Sequence, residues 1–398
     1  MRRCGSTAAG SLSGRREYLR KIGCDAYLAE CGFKIRSKRQ EDKGKTEERM
    51  NRDMGKPVLL AVLLAGLMFA GCGSGDANPS VTEGMAAVET LDYQTALQCF
   101  DKAMTDGEDK RLLYRGQGLA YMGLTQYEAA AEAFEKALGA GSGRVDDLDY
   151  DINYYLATTY YKLGETEKGI QTYNAILALR PKDKLAYYLR GTLRLATDYE
   201  RAKADFDKAI SLAKEDYDLL INIYLSLERY GYREVGQEYL QTALGSEAKS
   251  MTDYQRGRMY YYLGDYDSAR NFLEKARKSE GSAAILLLGQ TYEELGDFNY
   301  AISVYNTYLE GDQTNASVYN RLGLCKMEMK AYEEALAAFQ AGKNIENNDM
   351  MQTLRFNEII TYERLGNYKQ AASLMSGYLS AYPDDETAQR EYVFLKTR

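Results

Sequence analysis

The chain has 398 residues, 45% of them hydrophobic, with only four prolines and many Ala, Leu, Glu and Lys, a composition that favours uninterrupted helices. It contains no histidine, which removes the commonest general base and metal ligand, and its formal charge of −7 disfavours phosphate backbones. Length alone suggests two or three globular domains, unless the chain is a repeat array that grows without one central core.

Residues 1–53 carry scattered basic residues and three cysteines without a sustained apolar period, and are expected to be an upstream or disordered segment outside the protein proper. Residues 54–71 have a short basic start, an apolar run of about a dozen residues and small residues before Cys72, the pattern of a secretory signal peptide. The start is therefore expected at Met50 or Met54. Phe69-Ala70-Gly71-Cys72 resembles a bacterial lipobox, which implies lipidation of Cys72 and a lipid-anchored protein on the extracytoplasmic face of a cell membrane. From Cys72 onward there are 36 basic and 50 acidic residues, net −14, which reinforces the expectation of no nucleic-acid partner. Residues 72–79 are expected to be a flexible tether.

Beyond the tether a two-helix unit recurs. It is clearest from Gly257 to Ala276: Gly257 and Tyr260 at helical spacing, Gly264 for a left-handed turn, Asp265 as a cap, then Ala269, Leu273 and Ala276 on an inner face. The small residue opening the second helix returns as Ala96, Ala130, Gly169, Ala202, Gly236, Ala269, Ala301, Ala335 and Ala371. An aromatic residue stands three positions earlier in seven of these nine cases, from Tyr93 through Phe298 to Tyr368. Spacings near 34 with this pattern resemble the tetratricopeptide repeat over residues 77–385. The resemblance implies an all-α, right-handed superhelical solenoid of about nine helix pairs. Residues 386–398, with Ala388, Tyr392 and Leu395 at i, i+4 and i+7, resemble the family's capping helix. Tyr224 and Ile359 depart from the pattern by replacing the small residue of the first helix, which puts the packing of the fifth and ninth pairs in question.

The longest interval, between the second and third pairs, holds the glycine-rich stretch 139–143, read as a joint that divides the array into two cooperative blocks. It is no phosphate loop, because it follows a helix and lacks the lysine and the preceding strand. Asp147, Asp149 and Asp151 alternate like the start of a calcium loop but lack its glycine and terminal glutamate, and are read as helix-entry acids. Cys99 and Cys325 fall at scaffold positions, and the adjacent Glu293 and Glu294 are read as a solvated face. No catalytic, metal or cofactor constellation emerges, and the chain is expected not to be an enzyme.

In the resembled family the first helices line a concave groove that holds a peptide or a partner helix. The lysine and asparagine clamp for acidic chaperone tails is absent; the corresponding positions read Tyr154 and Thr158, Tyr188 and Thr192, Tyr254 and Arg258. Tyr254, Arg258 and Tyr261 stand at i, i+4 and i+7, and Tyr154 and Tyr161 repeat that spacing. The expected partner-binding residues are thus Tyr154, Tyr161, Tyr188, Tyr254, Arg258 and Tyr261, facing an open groove. The expected function is an envelope scaffold for a protein or peptide partner. The alternative is a glycan- or solute-binding surface lipoprotein resembling starch-binding lipoproteins, although those commonly stack sugars on tryptophan and this chain has none.

Overall fold

A computed structural model describes residues 79–246, 250–346, 348 and 350–398. The upstream segment, the signal sequence, Cys72 and all but the last residue of the tether lie outside the described residues. The described chain forms helix pairs: α1 (Pro79–Glu89) with α2 (Tyr93–Thr105), α3 (Lys110–Gly123) with α4 (Tyr127–Gly139), α5 (Asp147–Lys162) with α6 (Thr166–Leu179), α7 (Lys184–Arg194) with α8 (Tyr199–Leu212), and α9 (Tyr217–Arg229) with α10 (Arg233–Gly245). Four more pairs follow: α11 (Asp253–Leu263) with α12 (Tyr266–Ala276), α13 (Gly281–Glu294) with α14 (Phe298–Gly311), α15 (Ala316–Glu328) with α16 (Tyr332–Lys343), and α17 (Met351–Arg364) with α18 (Tyr368–Ala381). A single helix, α19 (Glu386–Leu395), packs on α18. The fold is all-α, and no strand occurs among the described residues.

Helix starts follow from acidic caps. Asp92, Asp109, Asp146, Asp183, Asp198, Asp216, Asp265, Asp297 and Asp385 each accept a backbone N–H of the first turn, satisfying donors that have no partner inside the helix. Turns within pairs follow from left-handed residues. Gly264 has φ 80° and ends α11, and the same slot is filled by non-glycine Leu91, Thr125 and Lys330 at φ 64°, 61° and 60°.

Packing within every pair but the fifth rests on one large side chain set four residues after the repeated small residue. Phe100, Phe134, Tyr173, Phe206, Leu273, Tyr305, Phe339 and Met375 occupy this place, and none is more than 2% exposed. In six pairs it lies against a first-helix glycine. A methyl group on Gly118 would stand 2.5 Å from the Phe134 ring, and one on Gly257 would stand 2.6 Å from Leu273. The fifth pair reverses the arrangement: Tyr224, wholly buried, comes from the first helix and lies over Gly236 of the second, 2.9 Å from where a Cβ would be. In the ninth pair Ile359 shares a buried cluster with the unbranched, flexible Met375. These departures from the repeat pattern are therefore exchanges of volume across the crossing.

The chain divides into two compact units, one ending at Tyr239 and the other beginning at Leu240. The division falls within α10, and the 139–143 stretch, expected to separate two cooperative blocks, lies inside the first unit. The reason is local: α4 packs directly on α5 across that stretch, and ion pairs from α3 to the start of α5 brace it.

Candidate functional site

Within each unit, successive helices pack in chain order, and the next closest approaches include those between first helices of neighbouring pairs, such as α7 with α9 and α15 with α17. First helices therefore share a face that collects residues about one or two periods apart. On α5, α7 and α9 this face is aromatic and polar. Tyr161 and Tyr230 place their hydroxyls 3.5 Å apart, and Tyr188 reaches Ser226 Oγ at 3.3 Å. Lys162 and Arg229 flank them; burial first, and the Arg229 guanidinium second, pull the Lys162 ammonium below the usual lysine range. Burial pushes the Tyr161 phenol up, so it stays a neutral donor and acceptor at physiological pH.

In the second unit the corresponding face is a network of charges. Arg321 of α15 donates to Glu293 of α13 at 3.0 Å, and Tyr305 donates to the same carboxylate. Burial pushes the Glu293 carboxyl up, with Arg321 opposing. Glu293 is thus a half-buried link between repeats, which corrects its reading as part of a solvated face; its neighbour Glu294 is exposed as expected. Asn357 of α17 donates to Asn320 of α15 at 2.8 Å, both buried.

The expected binding residues separate into two groups. Tyr154, Tyr161, Tyr188 and Tyr261 are half-buried. Tyr154 is tilted against Tyr173 at 5.8 Å, and Tyr261 meets Tyr262 and Tyr266 edge-on at 5.6 Å. Tyr254 and Arg258, expected to face an open groove, are 3% and 1% exposed. They are packing residues: the Arg258 guanidinium lies 5.4 Å from the Tyr254 ring centroid, a cation held over an aromatic face inside the protein. The structure brings Tyr161 and Tyr188 together through α9, while Tyr261 belongs to the second unit and the Arg321 network. Sequence reasoning missed Ser226 and Tyr230. Tyr230 lies 69 residues after Tyr161, two periods on, a signal that a search by period could have found. The Tyr188 and Ser226 pair, 38 apart, has no such signal.

The Asp147, Asp149 and Asp151 series serves the start of α5. Asp149 completes a capping box with Asp146 and pairs with Arg111 at 2.5 Å, Asp151 pairs with Arg115 at 2.6 Å, and Asp147 pairs with Arg180. Cys325 is buried, Cys99 is half-buried, and both are free thiols; burial pushes the Cys325 thiol up, away from reactivity.

A family model described as tetratricopeptide repeat matches residues 81–145, 115–184, 254–316 and 286–348, together half of the chain. The chain belongs to the tetratricopeptide repeat family. Proteins of this family mediate protein–protein interactions, and its scaffolds are generally non-enzymatic. A TPR repeat-containing protein of Methanocaldococcus jannaschii is 25% identical over 247 residues, covering 58% of this chain and 42% of that protein. Hsp70-Hsp90 organizing protein 2 of Arabidopsis thaliana is 21% identical over 275 residues, covering 67% and 41%. The chain thus spans about two fifths of the length of these curated relatives. Among solved structures, a tetratricopeptide repeat protein from Parabacteroides merdae matches 71% of this chain and 97% of its own, with a TM-score of 0.42 and 17% identity.

Proposed function

We propose that this tetratricopeptide repeat protein is a scaffold that holds a partner polypeptide against its first helices, tethered to the extracytoplasmic face of a cell membrane through a lipidated Cys72. The observation that carries the binding reading is the cluster on α5, α7 and α9. Three repeats contribute half-buried Tyr161, Tyr188 and Tyr230 and buried Ser226 to one patch, with Lys162 and Arg229 beside it. Tyrosines held by packing give contact area at little entropic cost, and cations beside them orient a polar partner. The family membership supports a protein partner, and a relative named for organising two chaperones is consistent with a scaffold. The anchor reading rests on the short apolar run that ends at Ala70-Gly71-Cys72.

Two experiments test the proposal. Tyr161→Ala with Tyr188→Ala, shown by circular dichroism to be folded, is expected to lower capture of cross-linked membrane partners by about tenfold or more, since an anchor tyrosine contributes on the order of 2 kcal/mol. Unchanged capture by the folded double variant would overturn the binding reading. Cys72→Ala is expected to move the protein from membranes to the soluble fraction and to abolish labelling with fatty acid; a variant that stays membrane-bound, from a parent that takes up no label, would overturn the anchor.

A further inference from the structure

The last turn of α17 carries Glu363, whose Oε1 is buried with no hydrogen-bond donor among the described residues. The side chain within hydrogen-bonding reach of this carboxyl group is another carboxyl, Glu391 of α19. Ionised carboxylates only accept hydrogen bonds, so two of them in contact repel each other and leave the buried oxygen unsatisfied; one proton between them supplies the missing donor. We propose that Glu363 and Glu391 form a proton-operated latch that holds the capping helix α19 on the ninth pair and loosens it when the proton is lost.

The rest of the α19 contact is small enough for such a latch to matter. Only Ala388 and Leu395 of this helix are buried, while Val393 and Phe394 are exposed. Asp385 caps α19 and accepts from the Tyr378 hydroxyl at 2.6 Å. Lys396 lies over Tyr392, and Arg398 over Tyr368 and Phe394. None of these charged groups acts on Glu363. Among the described residues the groups that do are Glu391 from α19 and Arg364 from its own helix, and α18 contributes none. Burial first, and Glu391 second, push the Glu363 carboxyl up from 4.5 to about 7, with Arg364 opposing.

The direction of the response follows. Below pH 4.5 the docked and released forms both keep the proton, and docking is at full strength. Between pH 4.5 and 7 the released form gives up its proton while the docked form retains it, so docking weakens steadily as pH rises; above pH 7 it changes no further. Histidine, the usual sensor in this range, is absent from the entire chain. Release would open the buried cluster that Ala388 and Leu395 share with Ile359, Met375 and Tyr378.

Hydrogen exchange on the full chain tests this, with protection factors corrected for intrinsic exchange at each pH. From pH 5.5 to pH 8, α19 amides are expected to lose protection by roughly tenfold, a figure reduced for partial solvent screening, while α14 and α15 keep theirs. Glu363→Gln and Glu391→Gln each place an amide donor opposite the remaining carboxylate, and each is expected to make α19 protection independent of pH. Equal wild-type protection at both pH values would overturn the latch. So would pH dependence that persists in both glutamine variants. Should a variant misfold, carbon NMR of labelled glutamate in the wild type decides: one carboxyl titrating above pH 6 supports the latch, and all titrating near 4.5 overturns it.

Discussion

Tyr224 and Gly236 show that the crossing within a pair conserves combined volume, whichever helix supplies the large side chain. That makes the effect of a single methyl group depend on where the glycine sits. Gly118→Ala would drive a Cβ to 2.5 Å from the Phe134 ring, which is wholly buried and cannot swing aside, so a loss of about 1–3 kcal/mol is expected. Gly377→Ala, inside α18 with nothing within 4 Å, removes backbone freedom from the unfolded chain and is expected to gain about 0.5–1 kcal/mol. Denaturant unfolding of both variants checks the signs, and a neutral Gly118→Ala would mean that the crossing is looser than its geometry. At this scale the small residues and their partners were legible, because a period of 34 exposes them. The burial of Tyr254 and Arg258 was not. Helical spacing places them on one face but does not say which neighbour covers that face, and an arginine on a first helix reads equally well as ligand-facing or as packed over a ring.

The elements are defined at their ends. Asp146 starts α5 with a capping box and also accepts from both terminal guanidinium nitrogens of Arg111 at 2.6 Å, so one carboxylate joins the second pair to the third. The Arg111 hydrogen bonds hold its carboxyl down to about 2, from an ordinary 3.8. A depressed carboxyl contributes stability above pH 3.8 that is lost as pH falls towards 2. Asp146→Asn keeps a capping oxygen but lacks the charge, and its melting temperature is expected to fall less steeply than wild type between pH 4 and pH 2; parallel curves would show that the ion pair contributes nothing. Asp146→Ala loses the cap as well, at a cost of about 1 kcal/mol. The turn between α3 and α4 is a site of strain, since Thr125 holds φ 61° where five other pairs place glycine. Thr125→Gly is expected to raise stability by up to about 1 kcal/mol by differential scanning calorimetry, and an unchanged or lower melting temperature would show that the turn stores no strain. The Asp265 cap, the Gly264 turn and the helix-entry acids of α5 were readable from the sequence. The polar links between first helices of neighbouring pairs were not, because their spacing varies from 28 residues for Glu293 and Arg321 to 38 for Tyr188 and Ser226.

Taken whole, the chain stabilises itself by contacts between neighbours in sequence, so damage should stay local. Phe339→Ala, which empties the crossing of the eighth pair at a cost of about 3–5 kcal/mol, is expected to speed hydrogen exchange in α15, α16 and α17 while leaving α1 to α4 unchanged. A uniform acceleration along the chain would contradict nearest-neighbour stability. The number of pairs and the extra helix were legible from the repeat; the division inside α10 was not, since no composition shift or loop marks it. The nine capping aspartates carry a further consequence for how the molecule meets other charged molecules. Each sits at the positive end of a helix macrodipole, worth about half an elementary charge, so much of its field closes on the backbone within a few ångströms. The surplus of acids over bases therefore overstates the far field. An anionic collision partner approaching from a Debye length away meets weaker repulsion than the formal count implies, and its association rate should vary with ionic strength less steeply than for a protein whose acids all stand in solvent.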